Sequence, residues 1–140
     1  MERCALNLLS ERVIGAVYEV ANSLGAGFLE KVYEKALLRE LSLAGIRAVS
    51  QAPFSIGYKG CSVGEYYADI FVEGALLVEL KCVERLGNEQ TAQCLNYLKA
   101  SGVELCLLVN FQRARVEVKR VVVDADNREA SSSAFVGQDF

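Results

Sequence analysis

The sequence predicts a single α/β domain in which helices flank a mixed β-sheet and the elements follow the order αα-βββ-α-ββ. The chain has 140 residues, of which 52% are hydrophobic and 24% are charged, a composition typical of one soluble globular core. Apolar residues recur at helical spacing in the first third of the chain, and short apolar runs separated by glycine-containing turns follow. The longest apolar runs have the length of strands and contain charges, so we expect no membrane span.

Two helices begin the predicted fold. The first covers residues 10–23, because Ser10 is a suitable N-cap, apolar residues then recur every three or four positions, and Gly25 ends the pattern. The second runs from about residue 28 to residue 44 and ends before Gly45.

A β-meander, a crossover helix and two further strands follow. A strand–helix–strand unit makes a right-handed crossover, so the strand after the helix should lie parallel to a strand of the meander. We expect one domain over residues 1–123 and a mobile tail over 124–140, which is rich in Ser, Asp and Ala. The predicted strands are 49–58, 63–72, 76–83, 104–110 and 115–123, and the predicted crossover helix is 88–100.

Three charged residues interrupt the apolar strands of the meander. Asp69 lies within one strand, and Glu79 and Lys81 lie within the next, although strands of this composition normally keep charges out of their interiors. Glu79 and Lys81 are two residues apart, so their side chains share one face of the strand. These charges need a partner or a function.

The length of the turn between the two strands decides whether Asp69 joins that face. A two-residue turn at 73–74 would place Asp69 opposite Val78, whereas a three-residue turn over 73–75 would place it opposite Glu79. We expect the three-residue turn, with Gly74 in a special conformation. One face then carries Tyr67, Asp69, Phe71, Leu77, Glu79 and Lys81, and the other, which we expect to be the core face, carries Ala68, Ile70, Val72, Leu76, Val78 and Leu80.

Directly opposed carboxylates need to be neutralised. Their Cβ atoms would lie roughly 4.5–5.5 Å apart, and a shared proton, the ammonium group of Lys81 or a divalent cation could offset their repulsion. Carboxylate oxygens suit a hard cation such as Mg²⁺. A lysine beside them could orient or deprotonate a water, or stabilise charge that develops on a phosphate. Together these groups suggest metal-assisted phosphodiester hydrolysis.

The histidine and cysteine content removes other chemistries. The chain has no histidine, which excludes a Ser-His-Asp or Cys-His nucleophile and a histidine-ligated catalytic zinc. Its five cysteines form no Cys-x-x-Cys pair and are odd in number, so we expect free thiols. Free thiols, together with an N-terminus that does not resemble a secretion signal, predict a cytoplasmic protein.

The net charge is unfavourable for tight binding of nucleic acid. It is −3, whereas a free-standing binder normally presents a basic stripe to the phosphates. Bound Mg²⁺ would offset part of the negative charge of the site, and a protein partner or a homodimer could supply the rest.

The charged residues of the meander resemble a known signature. Ala68-Asp69 followed by Glu79-Leu80-Lys81 resembles the signature of the PD-(D/E)XK nuclease superfamily, and residues 27–33 resemble the motif of the GxxExxY protein family within it. The resemblance implies a restriction-endonuclease-like core and a Mg²⁺-dependent nuclease, with Mn²⁺ as an alternative ion, that acts on nucleic acid, DNA being favoured. Similar phrases occur at 14–20, 95–99 and 108–111, and the whole resemblance covers roughly residues 8–123.

The resemblance also implies a set of metal ligands. Asp69, Glu79 and the carbonyl of Leu80 would hold the ion, and Lys81 would activate the water. In several nucleases of the superfamily a glutamate from the helix before the meander completes the ligands, a role that would fall to Glu30 here.

The role of Glu30 has two alternatives. If the helix is rotated, Glu34 would take its place, because the two residues share a helix face. Alternatively, Glu30 only favours the positive end of its own helix, since it stands in the first turn.

Candidate substrate contacts come from two helices. Gln93 and Tyr97 match a Gln-x-x-x-Tyr motif found in the recombination and repair exonuclease branch of the superfamily, where the pair lies beside the active site. The alternative is that they form the polar edge of an amphipathic helix. Tyr33 shares a helix face with Glu30 and is the third candidate.

A second function remains open from the sequence. The chain could be a catalytically silent nuclease-fold module for binding or assembly, in which Lys81 and the acidic residues form a structural ion pair. The sequence does not distinguish DNA from RNA or endonuclease from exonuclease activity.

Overall fold

A computed structural model describes residues 1–112 and 114–123 in full and residues 130–132 as backbone. The predicted order αα-βββ-α-ββ is confirmed, with one further short strand at 130–132. The remainder of the tail that we expected to be mobile lies outside the described residues. The elements are α1 (Arg3–Leu24), α2 (Glu30–Leu43), β1 (Ala48–Tyr58), β2 (Cys61–Val72), β3 (Leu76–Lys81), α3 (Asn88–Ser101), β4 (Leu105–Asn110), β5 (Glu117–Val123) and β6 (Ala130–Ser132).

The strands of the described segments form one mixed sheet in the order β1-β2-β3-β4-β5-β6. Strands β3 and β4 are parallel, and every other neighbouring pair is antiparallel. Helix α3 makes the crossover between the two parallel strands, as the sequence predicts. The charged strand β3 is therefore central, and its side chains meet helices on both faces.

Both faces of the sheet are buried under helices, as the predicted mixed sheet with flanking helices requires. Helices α1 and α2 pack on one face and form the α1–α2 cluster, and α3 packs on the other and forms the α3 cluster. A central strand is buried on both faces in this arrangement, which explains why β3 is almost continuously apolar. The α1–α2 cluster includes Val13, Val17, Leu37, Leu41, Ile70, Val78 and Leu80. The α3 cluster includes Ala52, Tyr66, Ala68, Leu77, Cys94, Leu98 and Cys106.

Helix α1 begins earlier than predicted. It starts at Arg3, and Ser10, the expected N-cap, is buried within the helix. Leu6 and Leu9 extend the apolar stripe by two turns and pack in the α1–α2 cluster. Packing of an apolar face outweighs a local capping preference, so the helix continues through Ser10. No helix among the described residues has the length and apolarity needed to cross a bilayer.

The turn between β2 and β3 has three residues, as predicted. Ile70 pairs with Val78 and Val72 pairs with Leu76, so the turn spans 73–75. Glu73 and Gly74 have φ values of 51° and 62°, in the left-handed region. This register places Asp69 at the level of Glu79.

In both β1 and β2, the regular alternation of side chains between the two faces of the sheet is broken at the same level. Ile70 packs in the α1–α2 cluster and Ala68 in the α3 cluster, although they are two residues apart, and Ala48 and Ala52 of β1 differ in the same way. Between the latter two, Gln51 has a φ of 53°. The predicted placement of Ala68 on the face of Ile70 is therefore wrong, because strict alternation assumes an unbroken pleat.

Candidate active site

The site lies at the end of β3, where the strand brings two charged side chains next to α3. Glu79 is buried, with 4% of its surface exposed, and Lys81 is half-buried. In the parallel pairing Glu79 stands beside Leu108 and Lys81 beside Asn110 of β4. Burial of these charges between a helix and a sheet is costly unless each finds a partner.

Asp69 reaches Glu79 from the neighbouring strand. Asp69 is half-buried, and its Oδ2 accepts a hydrogen bond of 2.7 Å from the backbone N–H of Leu80. This bond holds the carboxylate against β3. The predicted juxtaposition of Asp69 and Glu79 is thus present in the fold.

The electrostatic conflict between the two carboxyl groups is large. Burial above all, then the charges of Asp69 and Cys94 and a hydrogen bond with Asp69, together raise the pKa of Glu79 to about 9, while Lys81 opposes the shift. At neutral pH the metal-free pair therefore retains a proton. The Oε1 atom of Glu79 is buried and has no hydrogen-bond partner among the described residues.

Lys81 is held by helix α3. Its Nζ donates a hydrogen bond of 3.3 Å to Oε1 of Gln93, which is exposed. Tyr97 lies one turn further along α3, and burial first and the charge of Glu79 second raise the pKa of its phenol. The structure thus brings together the lysine and the two residues of the Gln-x-x-x-Tyr pattern.

Tyr66 is a member of this group that sequence reasoning missed. Its ring stacks on that of Tyr97 with centroids 3.9 Å apart and planes 5° from parallel, and its hydroxyl donates to the backbone carbonyl of Tyr97 at 3.1 Å. Burial raises the pKa of Tyr66 to about 12, so the hydroxyl stays protonated. An aromatic residue three positions before Asp69 was the available signal, but its partner is remote in sequence.

Glu30 approaches the carboxyl pair from the other side. It is the first residue of α2 and is exposed. Burial of part of its surface first, and the charge of Asp69 second, raise its pKa, while Lys81 lowers it. Asp69 and Lys81 therefore lie within electrostatic range of Glu30.

Glu34, the alternative to Glu30, is engaged elsewhere. It is buried, with 6% exposure, and its two oxygens accept hydrogen bonds from Gln51 at 2.8 Å and from Lys31 at 3.1 Å. Of the two glutamates, Glu30 is therefore the one whose carboxylate stays available to the site.

The comparisons with known proteins decide the family. The family model of the PD-(D/E)XK nuclease superfamily matches residues 7–121, most of the chain. The chain belongs to the PD-(D/E)XK nuclease superfamily. The crystal structure of SSO0001 is a similar solved structure, with 19% identity, a TM-score of 0.49 and coverage of 79% of this chain and 55% of that one. The chain thus spans about half the length of that protein, and no curated protein matches it.

The residues that resemble the superfamily signature are neighbours in the fold. Asp69 on β2 and the Glu79-Leu80-Lys81 run on β3 meet through the bond from Leu80 to Asp69. The two strands are neighbours in the sheet, and the three-residue turn between them fixes the register of β2 on β3 that brings these residues together.

Tyr33, expected to contact substrate, is fully buried. Its hydroxyl donates to the carbonyl of Gly25 at 2.6 Å and accepts from the N–H of Phe28 at 3.2 Å, and its ring stacks on Phe111 at 4.4 Å. A substrate contact does not fit this burial. Tyr33 instead fixes the loop that leads into α2 and thereby the position of Glu30.

Asn110 is another residue that sequence reasoning gave no role. It is fully buried at the end of β4, its side-chain amide donates to the carbonyl of Val83 at 2.8 Å and to Glu117 at 2.9 Å, and its carbonyl oxygen accepts from the N–H of Val83 and of Gln112, each at 3.1 Å. These bonds fix the chain directly after Lys81. A polar residue that ends an apolar strand was the signal.

The donor set fits a hard divalent cation that shares its coordination with water or substrate. Among the described residues no three His, Cys, Asp or Glu side chains are close enough to form a metal cluster by themselves. Mg²⁺ commonly takes only one or two protein carboxylates and keeps waters or phosphate oxygens as its other ligands. Asp69 and Glu79 supply two carboxylates, and the unpartnered Oε1 of Glu79 is a buried acceptor that a cation would satisfy.

Proposed function

We propose that the protein is a cytoplasmic, divalent-metal-dependent nuclease that hydrolyses phosphodiester bonds of nucleic acid, with Mg²⁺ as the natural ion, Mn²⁺ as a substitute and DNA as the favoured substrate. The observation that carries the proposal is the meeting of the half-buried Asp69 with the buried Glu79, whose Oε1 has no partner among the described residues and whose carboxyl group is within electrostatic range of Lys81. Membership of the PD-(D/E)XK nuclease superfamily supports it. The proposed domain covers residues 1–123, and we assign it to the GxxExxY family on the motif at 27–33.

The proposed site uses carboxylates for the ion and a lysine for the water. Asp69 and Glu79 would hold the metal, with the carbonyl of Leu80 and the carboxylate of Glu30 as further ligands. The ion, when bound, would polarise the phosphate and acidify a bound water. Lys81, held by Gln93 at 3.3 Å, would orient the attacking water and stabilise negative charge on the phosphate.

The proposed substrate path follows the exposed side of α3. Gln93 is exposed and accepts the hydrogen bond of Lys81, and Tyr97 is half-buried and lies within electrostatic range of Glu79 and Asp69. Because the net charge of the chain is −3, we expect weak binding of nucleic acid without metal and without a partner or second subunit.

One observation favours a second function. In the metal-free protein the carboxyl pair keeps a proton, since the pKa of Glu79 is about 9, and Lys81 adds a positive charge. The site can therefore be neutral without any ion. This state is what a catalytically silent binding or assembly module would need.

The deciding experiment combines metal binding with cleavage. Crystals soaked in Mn²⁺ should show anomalous density between Asp69 and Glu79, and an empty site at millimolar Mn²⁺ would favour the module. Cleavage of single-stranded DNA, duplex DNA and RNA should then be compared between the wild type and Lys81→Ala. We expect a loss of at least 100-fold in rate, on the order of the contribution of one acid–base or charge-stabilising group.

A matched control is available on β5. Lys119 is also half-buried, and it also donates to α3, at 2.7 Å to Oγ1 of Thr91. Lys119→Ala should keep the cleavage rate within a few-fold of wild type. Cleavage that survives Lys81→Ala at the full rate would point to a contaminating nuclease and would overturn the proposal.

A further inference from the structure

Gln51 adopts a backbone conformation that is rare for its residue type. Its φ is 53°, in the left-handed region, although it is the fourth residue of the eleven-residue strand β1. Residues other than glycine and asparagine seldom occupy this region, and rarely within a strand. Such a conformation persists only where surrounding contacts determine it.

The side chain of Gln51 is anchored to helix α2. Its Nε2 donates a hydrogen bond of 2.8 Å to Oε1 of Glu34, whose other oxygen accepts from Lys31 at 3.1 Å. Glu34 is 6% exposed whereas Gln51 is exposed, so the bond joins a surface side chain to a buried, charged acceptor. The anchor therefore ties the left-handed residue to the same helix that carries Glu30.

Gln51 lies at the level of Asp69 in the sheet. The flanking residues pair as Ser50 with Ile70 and Ala52 with Ala68, which leaves Gln51 and Asp69 facing each other across the two strands. At this level both strands reverse the face to which their side chains point.

The reversal accompanies an unusual contact of Asp69. Its Oδ2 accepts the N–H of Leu80 at 2.7 Å, and the regular pairing of β2 with β3 extends only from Ile70 to Val72. The carboxylate of Asp69 thus accepts a hydrogen bond from β3 just beyond the last regular backbone pair of the two strands. The kink, the anchor and the orientation of Asp69 occur together at one position of the sheet.

We infer that Glu34 and Gln51 are positioning residues for Asp69. The hydrogen bond between them holds the left-handed backbone of Gln51, and the kink that results turns the carboxylate of Asp69 towards Leu80 and Glu79. The inference rests on the proposed function only in treating Asp69 as a metal ligand. The geometric part holds for the metal-free protein.

Hydrogen exchange of the Leu80 amide tests the inference without metal or substrate. In Glu34→Ala and in Gln51→Ala the protection of this amide, measured by NMR relative to the other amides of β3, should fall roughly tenfold or more, as expected for loss of a bond to a charged acceptor. Glu34→Gln keeps an oxygen that accepts from Gln51 and should keep the protection. Arg47→Ala removes the exposed ion pair with Glu73 at the β2–β3 turn and serves as the control that leaves Leu80 protected.

The substitution Gln51→Gly distinguishes a positioning role of the anchor from a packing role. Glycine occupies the left-handed region without steric cost, so Gln51→Gly needs no anchor. Leu80 should stay protected in Gln51→Gly, and protection should return in the double variant Glu34→Ala/Gln51→Gly. A contact that acted only through packing would not be rescued by removing its second partner.

The outcomes are distinct from those for the nuclease itself. Full protection of Leu80 in both alanine variants, or failure of Gln51→Gly to restore it, would overturn the inference. If Glu34→Ala does not fold, the comparison of Gln51→Ala with Gln51→Gly gives the same decision.

As a consequence for the site, the Mn²⁺ concentration for half-maximal binding, measured by calorimetry, should rise at least tenfold in Gln51→Ala and not in Gln51→Gly. Absence of cleavage in the wild type would contradict the proposed function and leave the exchange result valid.

Discussion

Glu79 lies in an environment that disfavours its charged form. Burial is the main cause, and the charge of Asp69 is the next, so the pKa of this carboxyl group is about 9 instead of the ordinary 4.5. The folded protein therefore binds this proton more tightly than the unfolded chain does. The proposed ion between the carboxylates would have to displace this proton, so metal binding and protonation would compete at one site.

The competition predicts a pH dependence of stability. The stabilising contribution of the Glu79 proton to the free energy of unfolding is complete below about pH 4.5. It is lost as the pH rises towards about 9. The loss should be at most about 1.4 kcal/mol per pH unit in the free energy of unfolding. Urea unfolding without metal at pH 6 and at pH 8.5 should show a larger decline for the wild type than for Glu79→Gln.

The variant Glu79→Gln carries its own control. It keeps the shape of the side chain and cannot ionise, and all other titrating groups are common to both proteins. The variant should also lose Mn²⁺ binding, because an amide lacks the charge that holds the ion. Parallel pH profiles for the two proteins would contradict the shifted pKa of Glu79.

At the scale of elements, the site depends on how α2, β2, β3 and α3 are fixed to one another. Helix α3 is joined to the sheet by the stacked rings of Tyr66 and Tyr97 and by the contact of Lys81 with Gln93. Asn110 bonds both backbone groups of Val83 and so fixes the chain that leaves β3. The charged groups are therefore placed by neutral contacts around them.

The loop before α2 offers a test at this scale. Tyr33→Phe removes the hydroxyl that bonds Gly25 at 2.6 Å and Phe28 at 3.2 Å, while the ring can still stack on Phe111. The free energy of unfolding should fall by about 1–3 kcal/mol, because buried backbone groups lose their partner. Urea denaturation measures the change.

The control for this change is a tyrosine at the surface. Tyr58 at the end of β1 is 50% exposed, and Tyr58→Phe should alter the free energy of unfolding by less than about 0.5 kcal/mol. Equal effects of the two substitutions would show that the hydroxyl of Tyr33 does not hold the loop.

Sequence reasoning reaches the elements and the register because local chemistry determines them. Helical spacing gave α2 and α3, and Gly74 indicated the three-residue turn that brings Asp69 to the level of Glu79. The predicted face of Ala68 was wrong because the left-handed Gln51 on the neighbouring strand accompanies a break in the alternation of side chains. Nothing in the sequence of β2 reveals this break. Glu30 and Tyr33 share a helix face by spacing alone, whereas packing on Phe111 buries only the tyrosine.

At the scale of the whole molecule, the sheet separates two cores of different character. The α1–α2 cluster is the larger one, and the α3 cluster is the one that adjoins the charged groups. Two of the five cysteines, Cys94 and Cys106, lie in the α3 cluster, and Cys94 is close enough to Glu79 to contribute to its raised pKa. These thiols therefore report on the integrity of the half of the molecule that holds the site.

The cysteines give a test of this arrangement. Cys4 and Cys61 are exposed, Cys82 is half-buried, and Cys94 and Cys106 are buried. A thiol reagent such as Ellman's reagent should modify the two exposed cysteines within the first phase and Cys82 more slowly. The buried pair should react only when the α3 cluster opens, because the reagent cannot reach a shielded thiol.

Burial also lowers the reactivity of Cys106 because it disfavours ionisation of the thiol. It raises the pKa of the Cys106 thiol well above its ordinary value, which removes the reactive thiolate at neutral pH. Peptide mapping by mass spectrometry after timed alkylation identifies which cysteines react. Reaction of Cys106 should follow the rate of global unfolding and accelerate with urea, whereas that of Cys61 should not change. If Cys106 reacted as fast as Cys61 in native buffer, α3 would not be packed against β4, and the contact of Gln93 with Lys81 would be lost with it.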